Sequence, residues 1–483
     1  MKPSPWLRTL AFTLCMMLLV SVFPGALAAT KAKTAEELGY LPPEELLTED
    51  GQTIIFNDPW VQDALEQSYP HLMQEDGSFL KDSLKEVTYL YIGVKLSDDL
   101  WAAVGEAWEA AHSQEGFTAE TESVDLSVLQ FCTQLDFLVI IAQKVESLNA
   151  FTQSKAKYQN LTFLGGNGLN LDACSSITNL DSLQLVSCRV QSYEPLVKCK
   201  KLSQLTLAGK DITDIGFVAS IPKLNYIDLQ NAPNADLTPL LTKKGISGMA
   251  LDMKGATEED IRWQLLSKCK AQINLNNCDE ITTEIVEKYL SKNTSMSLHY
   301  TEKPDQPVDF SALKGAKSLT FLSFSTANIL DLSFLDGHPK LIYLYLWNSS
   351  VNDAGDIFTA PKMQTLFVGN DSIIAHWGMF EKPANAKKLT EVVIENTGLT
   401  DLSFVNGLSL KYLWLNGNEI SDISPLANAK KIEKLSLSNN PITDFTPLTD
   451  VKGLKLVQHN SPEAMPDLKK VNIVEGEEGN WAY

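Results

Sequence analysis

The chain has 483 residues, 60 Asp+Glu against 40 Lys+Arg, and a formal net charge of −20. Hydrophobic residues make up 44% and charged residues 21%, the balance of a folded soluble protein rather than a disordered or fibrous one. The acidic excess argues against nucleic acid as the main partner, because phosphate binding draws on Lys and Arg. At this length the chain is either a few compact domains or one long repeat array.

Residues 1–28 open with Lys2 and Arg8, continue through an apolar run from Leu10 to Phe23, and end on Ala26-Leu27-Ala28. That three-part layout predicts a secretory signal peptide. The run is short of the roughly 20 residues a bilayer span needs. No later stretch is apolar enough to cross a membrane, so no transmembrane segment is expected in the mature chain. Residues 29–53 are charged and interrupted by Pro42 and Pro43, and are expected to form a flexible leader. Residues 54–134 are expected to form an N-terminal helical cap with degenerate first repeats. Asp58 before Pro59 is a strong helix start, an N-cap side chain followed by a proline at the first helical position. Val87-x-x-Leu90-x-Ile92 predicts an early strand, and 98–112 a second helix.

From Leu135 one pattern recurs: apolar, two variable, apolar, one variable, apolar. The clearest copies are Leu410-x-x-Leu413-x-Leu415-x-x-Asn418-x-Ile420-x-Asp422-Ile423-x-Pro425-Leu426 and Ile432-x-x-Leu435-x-Leu437-x-x-Asn440-x-Ile442-x-Asp444-Phe445-x-Pro447-Leu448. About fourteen copies of about 22 residues fill 135–453, with Lys270 and Asn293 at two of the first positions. A fixed period of 20–29 with L-x-x-L-x-L is the leucine-rich repeat signature. A strand alternates faces, so the second and third leucines of a copy point together into a core. One copy cannot bury that row, whereas stacked copies bury it continuously. The predicted fold is therefore α/β: a leucine-rich repeat solenoid with a parallel sheet on its concave face. Short turns and some helices lie on the convex face, and an N-terminal helical cap covers the first edge.

Several details refine this. Asp422 and Asp444 can cap the turn after the strand. The ninth repeat position is Asn418 or Asn440 in the best copies, where an amide can satisfy turn backbone. It is Cys188 and Cys278 in two others, and Lys210, Lys254, Ser349 or Thr397 elsewhere, which predicts a broken ladder. Thr257 to Lys268 and Thr282 to Ser291 read as amphipathic helices on the outer side of central copies. The copy at Met363 is lengthened by a loop around His376. Residues 454–483 read as a C-terminal cap and acidic tail.

The D-I-x-P-L ending of the 22-residue copies, behind a signal peptide and a cap helix, resembles the internalin-type secreted leucine-rich repeat proteins of bacteria. The resemblance spans roughly Ile54 to Leu456 and is strongest over 389–448. It implies extracellular protein binding through the concave face. Members often carry an immunoglobulin-like domain and a wall anchor after the repeats. The sequence after Leu454 shows neither, so secretion with at most loose surface association is expected.

The outward strand positions are the third, fifth and seventh of each copy. Of these 42 positions only five are charged, Asp228, Asp252, Glu391, Glu395 and Lys434, whereas nine are aromatic. Seven of the nine fall in the five copies from Leu319 to Leu410: Phe321, Tyr343, Tyr345, Trp347, Phe367, Tyr412 and Trp414. Aromatic enrichment with charge depletion is the mark of an interface core. The competing account is that aromatics simply suit strands and stabilise their neighbours. Phe137, Val139 and Ile141 form a second apolar row, expected to lie under the N-terminal cap.

No H-E-x-x-H, G-x-S-x-G, P-loop or EF-hand pattern occurs, so no catalytic residue, metal ligand or cofactor is assigned. The six cysteines after the signal permit three disulfides, but Cys188 and Cys278 at the repeat's buried position point to free buried thiols. The sequence thus predicts a secreted, non-enzymatic module binding an extracellular protein ligand. Glycan or cell-wall binding, and a structural envelope role, are the alternatives.

Overall fold

The computed structural model describes residues 40–460 and 464–475, apart from 94–106, 109, 112–116, 118, 146, 258, 370–371 and 377–385. The expected signal peptide, the acidic tail after 475 and most of the helix expected over 98–112 lie outside the described residues. The chain packs as two units, Met1–Ile246 and Ser247–Tyr483.

In the first unit six strands form one parallel ladder. They are β1 (Tyr89–Ile92), β2 (Phe137–Ile141), β3 (Gln159–Leu164), β4 (Leu180–Val186), β5 (Gln204–Ala208) and β6 (Tyr226–Leu229). The 22-residue period sets the register: Leu90, Leu138, Leu161, Leu183, Leu205 and Ile227 stand side by side. All six are essentially solvent-free. Each is worth roughly 1.5–3 kcal/mol of apolar burial, which no isolated copy could collect.

The second unit repeats the plan with eleven parallel strands. These are β7 (Gly248–Asp252), β8 (Gln272–Asn276), β9 (Ser295–His299), β10 (Phe321–Ser325), β11 (Tyr343–Trp347), β12 (Thr365–Gly369), β13 (Glu391–Ile394), β14 (Tyr412–Trp414), β15 (Lys434–Ser436), β16 (Leu456–His459) and β17 (Asn472–Glu475). Each pairs with the next, and Leu322, Leu344, Leu366, Val392, Leu413 and Leu435 form the core row of its middle. The last strand, β17, falls in the segment read as cap and tail.

Strand exit uses a device that hydrophobic periodicity does not reveal. In six copies the eighth residue is a left-handed non-glycine: Ser187, Asn277, Thr326, Asn348, Asn396 and Asn439 all have φ between 43° and 57°. Glycine and asparagine are the residues that tolerate this conformation. Thr326, β-branched at φ 57°, is the costly exception. The ninth residue then closes the turn. Asn418 Oδ1 accepts from the backbone N–H of Thr397 (3.1 Å) and Leu399 (3.2 Å), while Nδ2 donates to the carbonyls of Ile394 (2.6 Å) and Leu415 (2.9 Å). Asn440 does the same for its copy, donating to Leu415 O (2.7 Å) and Leu437 O (3.0 Å). The ladder is less broken than the residue types imply. Ser349 Oγ donates to Trp347 O (2.7 Å) and accepts from Ala327 N (3.1 Å), and the thiols of Cys188 and Cys278 reach turn carbonyls at 3.2 Å.

The outer side follows from the turns. Ser424 N and Thr446 N donate to Asp422 and Asp444 at 2.8 Å, and Asp309, Asp331 and Asp401 repeat the motif. Most copies then make one 3-10 turn. Helices occur where expected, at Ile261–Lys268 and from Thr283 to Leu290, the latter with a π-helical end. The first starts four residues later than the pattern from Thr257 suggests, because Asp260 is the N-cap, accepting from Arg262 N at 2.8 Å. In this copy Lys270 is exposed and Cys269 takes the core place, since an unpaired ammonium is too costly to bury.

At the front, Pro59–Ser68 is a helix whose N-cap is Asp58, as its sequence requires. Residues 41–53, in the segment read as a flexible leader, are held down against the cap that begins at Ile54. Leu46 and Ile54 are buried, Leu41 N donates to Ser127 Oγ (3.0 Å), and Leu47 bridges Ile54. Buried leucine and isoleucine outweigh the charges around them. No helix among the described residues is long and apolar enough to cross a membrane.

Candidate functional site

Of the two apolar rows expected on the strands' outward face, the first unit's is covered. Tyr91, Val139, Ile141, Leu164, Val186 and Ala208 are buried in one cluster with Ala111 and Ala119, flanked by Trp108, Phe117 and Phe137. Polar contacts lock the cover in place. Ser187 Oγ donates to Ala111 O (2.6 Å) and Gln143 Nε2 to Ala119 O (3.0 Å). The cover lies so close that a Cβ on Gly165 would sit 2.6 Å from Ala119 N and 2.8 Å from the Phe117 ring. This surface is part of the unit's core.

Six of the seven aromatic residues singled out in the second unit reach the surface. Strand register places them in rows across the sheet. One row runs Phe321, Tyr343, Thr365, Glu391, Tyr412, Lys434; the next runs Ser323, Tyr345, Phe367, Val393, Trp414, Ser436. Trp347 follows Ser325 in a third. Five rings form one connected cluster: Phe321 lies 6.3 Å from Tyr343 and 5.5 Å from Tyr345, Tyr345 lies 6.1 Å from Phe367, and Trp347 stacks on Phe367 at 4.0 Å. Tyr412 and Trp414, 5.7 Å apart, form a second pair on β14, with no ring contact to the cluster among the described residues. The seven residues are therefore two groups on one face, divided by β13.

Their exposure differs. Tyr343 is 37% exposed, and Phe321, Tyr345, Trp347, Tyr412 and Trp414 are half-buried. Phe367 is only 3% exposed, its ring over Gly369 and beneath Trp347. It is a platform that fixes Trp347 and Tyr345, not a contact surface. Ring pairs of this kind add roughly 0.5–1.5 kcal/mol beyond area burial. The rings are thus already oriented, which lowers the entropy a ligand must overcome.

Between the two groups stands Glu391, counted in the sequence only as a charge. Thr365 Oγ1 donates to its Oε2 at 3.2 Å. Burial raises its carboxyl above the ordinary range, against the lowering effect of that hydrogen bond. Burial also lifts the Tyr345 phenol to about 12, with Glu391 and Tyr343 adding to the rise. Further along, Asn416 Nδ2 donates to Glu395 Oε1 (2.7 Å) and its Oδ1 accepts from Ser436 Oγ (2.6 Å). The aromatic face thus ends in an ordered polar network.

The six described cysteines are free and buried. Burial raises their thiols, to about 12 for Cys132 and Cys188 and about 11 for Cys199 and Cys269, so none is a ready nucleophile. Among the described residues no group of three His, Cys, Asp or Glu is placed to hold a metal ion.

The parallel ladder at a 22-residue period, with its ninth-position asparagines, defines leucine-rich repeat units. Residues 408–450 match the family model for Leucine Rich repeats (2 copies). No curated protein matches the chain. Among solved structures the chain is similar to an internalin (InlF) from Listeria monocytogenes, at 16% identity over 88% of this chain and 96% of the other, with a TM-score of 0.32. It is similar also to the functional domain of InlJ from the same organism, at 15% identity over 83% and 80%, TM-score 0.40. A leucine-rich repeat protein of Leptospira interrogans matches at 16% identity over 79% and 99%, TM-score 0.41.

Proposed function

We propose that this chain is a secreted, non-enzymatic interaction module that binds an extracellular protein through the aromatic face of its second unit. The observation that carries the reading is the ring cluster of Phe321, Tyr343, Tyr345 and Trp347 on the Phe367 platform, with Tyr412 and Trp414 beyond Glu391. Preformed aromatic surface with little charge is the composition of an interface core. The covered apolar row of the first unit supports the contrast, since a face with no ligand to meet would gain by the same treatment. Secretion rests on the signal-like residues 1–28, and the six buried thiols remain free without needing disulfides.

Exposed Trp and Tyr also stack on sugars, so glycan binding is the reading to be tested beside it. The test is differential capture. Wild-type chain and a Trp347→Ala/Trp414→Ala variant are presented to a surface proteome and to a glycan array. A protein retained by wild type and lost by the variant supports the proposal. Capture unaffected by the variant overturns it, and ring-dependent glycan capture without any protein assigns the face to sugars.

A further inference from the structure

Beside the aromatic rows lies a cleft that counting outward strand positions passes over. Thr320, Ile342 and Gln364 stand one residue before β10, β11 and β12, and Lys340, Lys362 and Lys388 each stand one residue before the first position of a copy. Together they line an open cleft of about 360 Å³. The chain carries a net charge of −20, yet this lining holds three ammonium groups and no acid. All three lysines are exposed, and among the described residues none has an acidic partner. At the same repeat position Lys201 donates to Asn179 Oδ1 (2.7 Å) and Lys431 to Ser409 Oγ (3.2 Å), each using the side chain of the preceding copy. For Lys362 and Lys388 that neighbour is another lysine, and for Lys340 it is Ser318. Three like charges on successive copies repel, and an anion placed among them relieves the repulsion.

We propose that this cleft binds an acidic peptide segment of the protein ligand; this rests on the reading of the adjoining face as a protein-binding surface. Adjacent strands lie about 4.8 Å apart, so Lys340 to Lys388 spans roughly 10 Å, and an extended peptide repeats its same-face side chains about every 6.8 Å. Two carboxylates of one segment therefore fall within reach of three lysines. Ile342 and Gln364 in the lining offer an apolar contact and an amide for the peptide backbone. Tyr343 directly follows Ile342, so a segment leaving the aromatic rows there meets the cleft next.

The test uses the full chain and labelled N-acetyl-hexaglutamate amide, followed by fluorescence anisotropy in 20 mM salt. Binding is expected, at least tenfold weaker for Lys340→Ala/Lys362→Ala/Lys388→Ala and unchanged for Trp347→Ala. Raising the salt to 300 mM should weaken it strongly, since the screening length then falls well below the roughly 10 Å found at 0.1 M. The single reversal Lys362→Glu, at an exposed position, gives the same loss without risk to folding. No binding of hexaglutamate, or equal binding by the triple variant, overturns the proposal. So does lysine-dependent binding confined to a heparin hexasaccharide or to inorganic phosphate, which assigns the cleft to a glycan or a free anion. Because Trp347→Ala leaves the peptide signal intact, failure of the cleft and failure of the aromatic face are read separately.

Discussion

Replacing Asn418 by alanine removes one side chain and strands several backbone groups. Its Oδ1 serves the N–H of Thr397 and Leu399, and its Nδ2 serves the carbonyls of Ile394 and Leu415. Asn418 is 5% exposed, while Leu399, Ile394 and Leu415 are buried. An unsatisfied buried backbone group costs about 1–3 kcal/mol. Thr397 is half-buried and can turn to water, and Leu415 O still accepts from Asn440 Nδ2 at 2.7 Å, leaving two groups, Leu399 N–H and Ile394 O, in the interior. If water enters the small void and meets part of the need, a net loss of about 2 kcal/mol remains. Urea titration followed by circular dichroism measures it, with the slope m unchanged if only stability moves. Asn440→Ala, at a half-buried site, should cost about half as much. A loss below about 1 kcal/mol for Asn418→Ala would show that the asparagine ladder does not hold the turns.

Two further outcomes are expected. Thr326→Asn should stabilise the second unit by about 0.5–1 kcal/mol, because asparagine tolerates the left-handed φ of 57° that a β-branched residue resists; a lower melting temperature would contradict this. The chain without residues 1–28 should show no thiol reactive toward Ellman's reagent when native and six when denatured, since burial raises every described cysteine. Fewer than six in denaturant would mean that disulfides form.

What the sequence disclosed followed the physics of burial. The L-x-x-L-x-L spacing placed the leucines of each core row, because only one register buries both of them. Asn418 and Asp422 were legible because one residue type meets one backbone need. What escaped depends on neighbours rather than on a copy's own pattern. Asn348 or Thr326 at position eight looks like ordinary loop until its left-handed φ is seen. Residues 41–53 looked loose because charges surround Leu46, yet that leucine is buried. Strand β17 rests on Ile473 beside Val457, too short a run to stand out.

The candidate site was legible in composition and not in arrangement. Counting outward positions found the seven aromatics, but not that Phe367 lies beneath Trp347 or that Glu391 divides the face. The lysine cleft lay outside the counted positions altogether. Its signal was present as Lys340, Lys362 and Lys388, each directly before a copy's first apolar residue. Only the ladder shows that these precede successive strands and line one cleft that holds no acid.

The most direct measurement is the affinity of a captured protein ligand for wild type and for Trp347→Ala and Trp414→Ala, singly and together, beside their thermal unfolding. An aromatic hot spot is worth about 2–4 kcal/mol on truncation, so each single variant should weaken binding roughly 30- to 700-fold. Both tryptophans are half-buried surface residues, so melting should shift by only a few degrees. Unchanged affinity in the double variant, with the fold intact, would contradict the account.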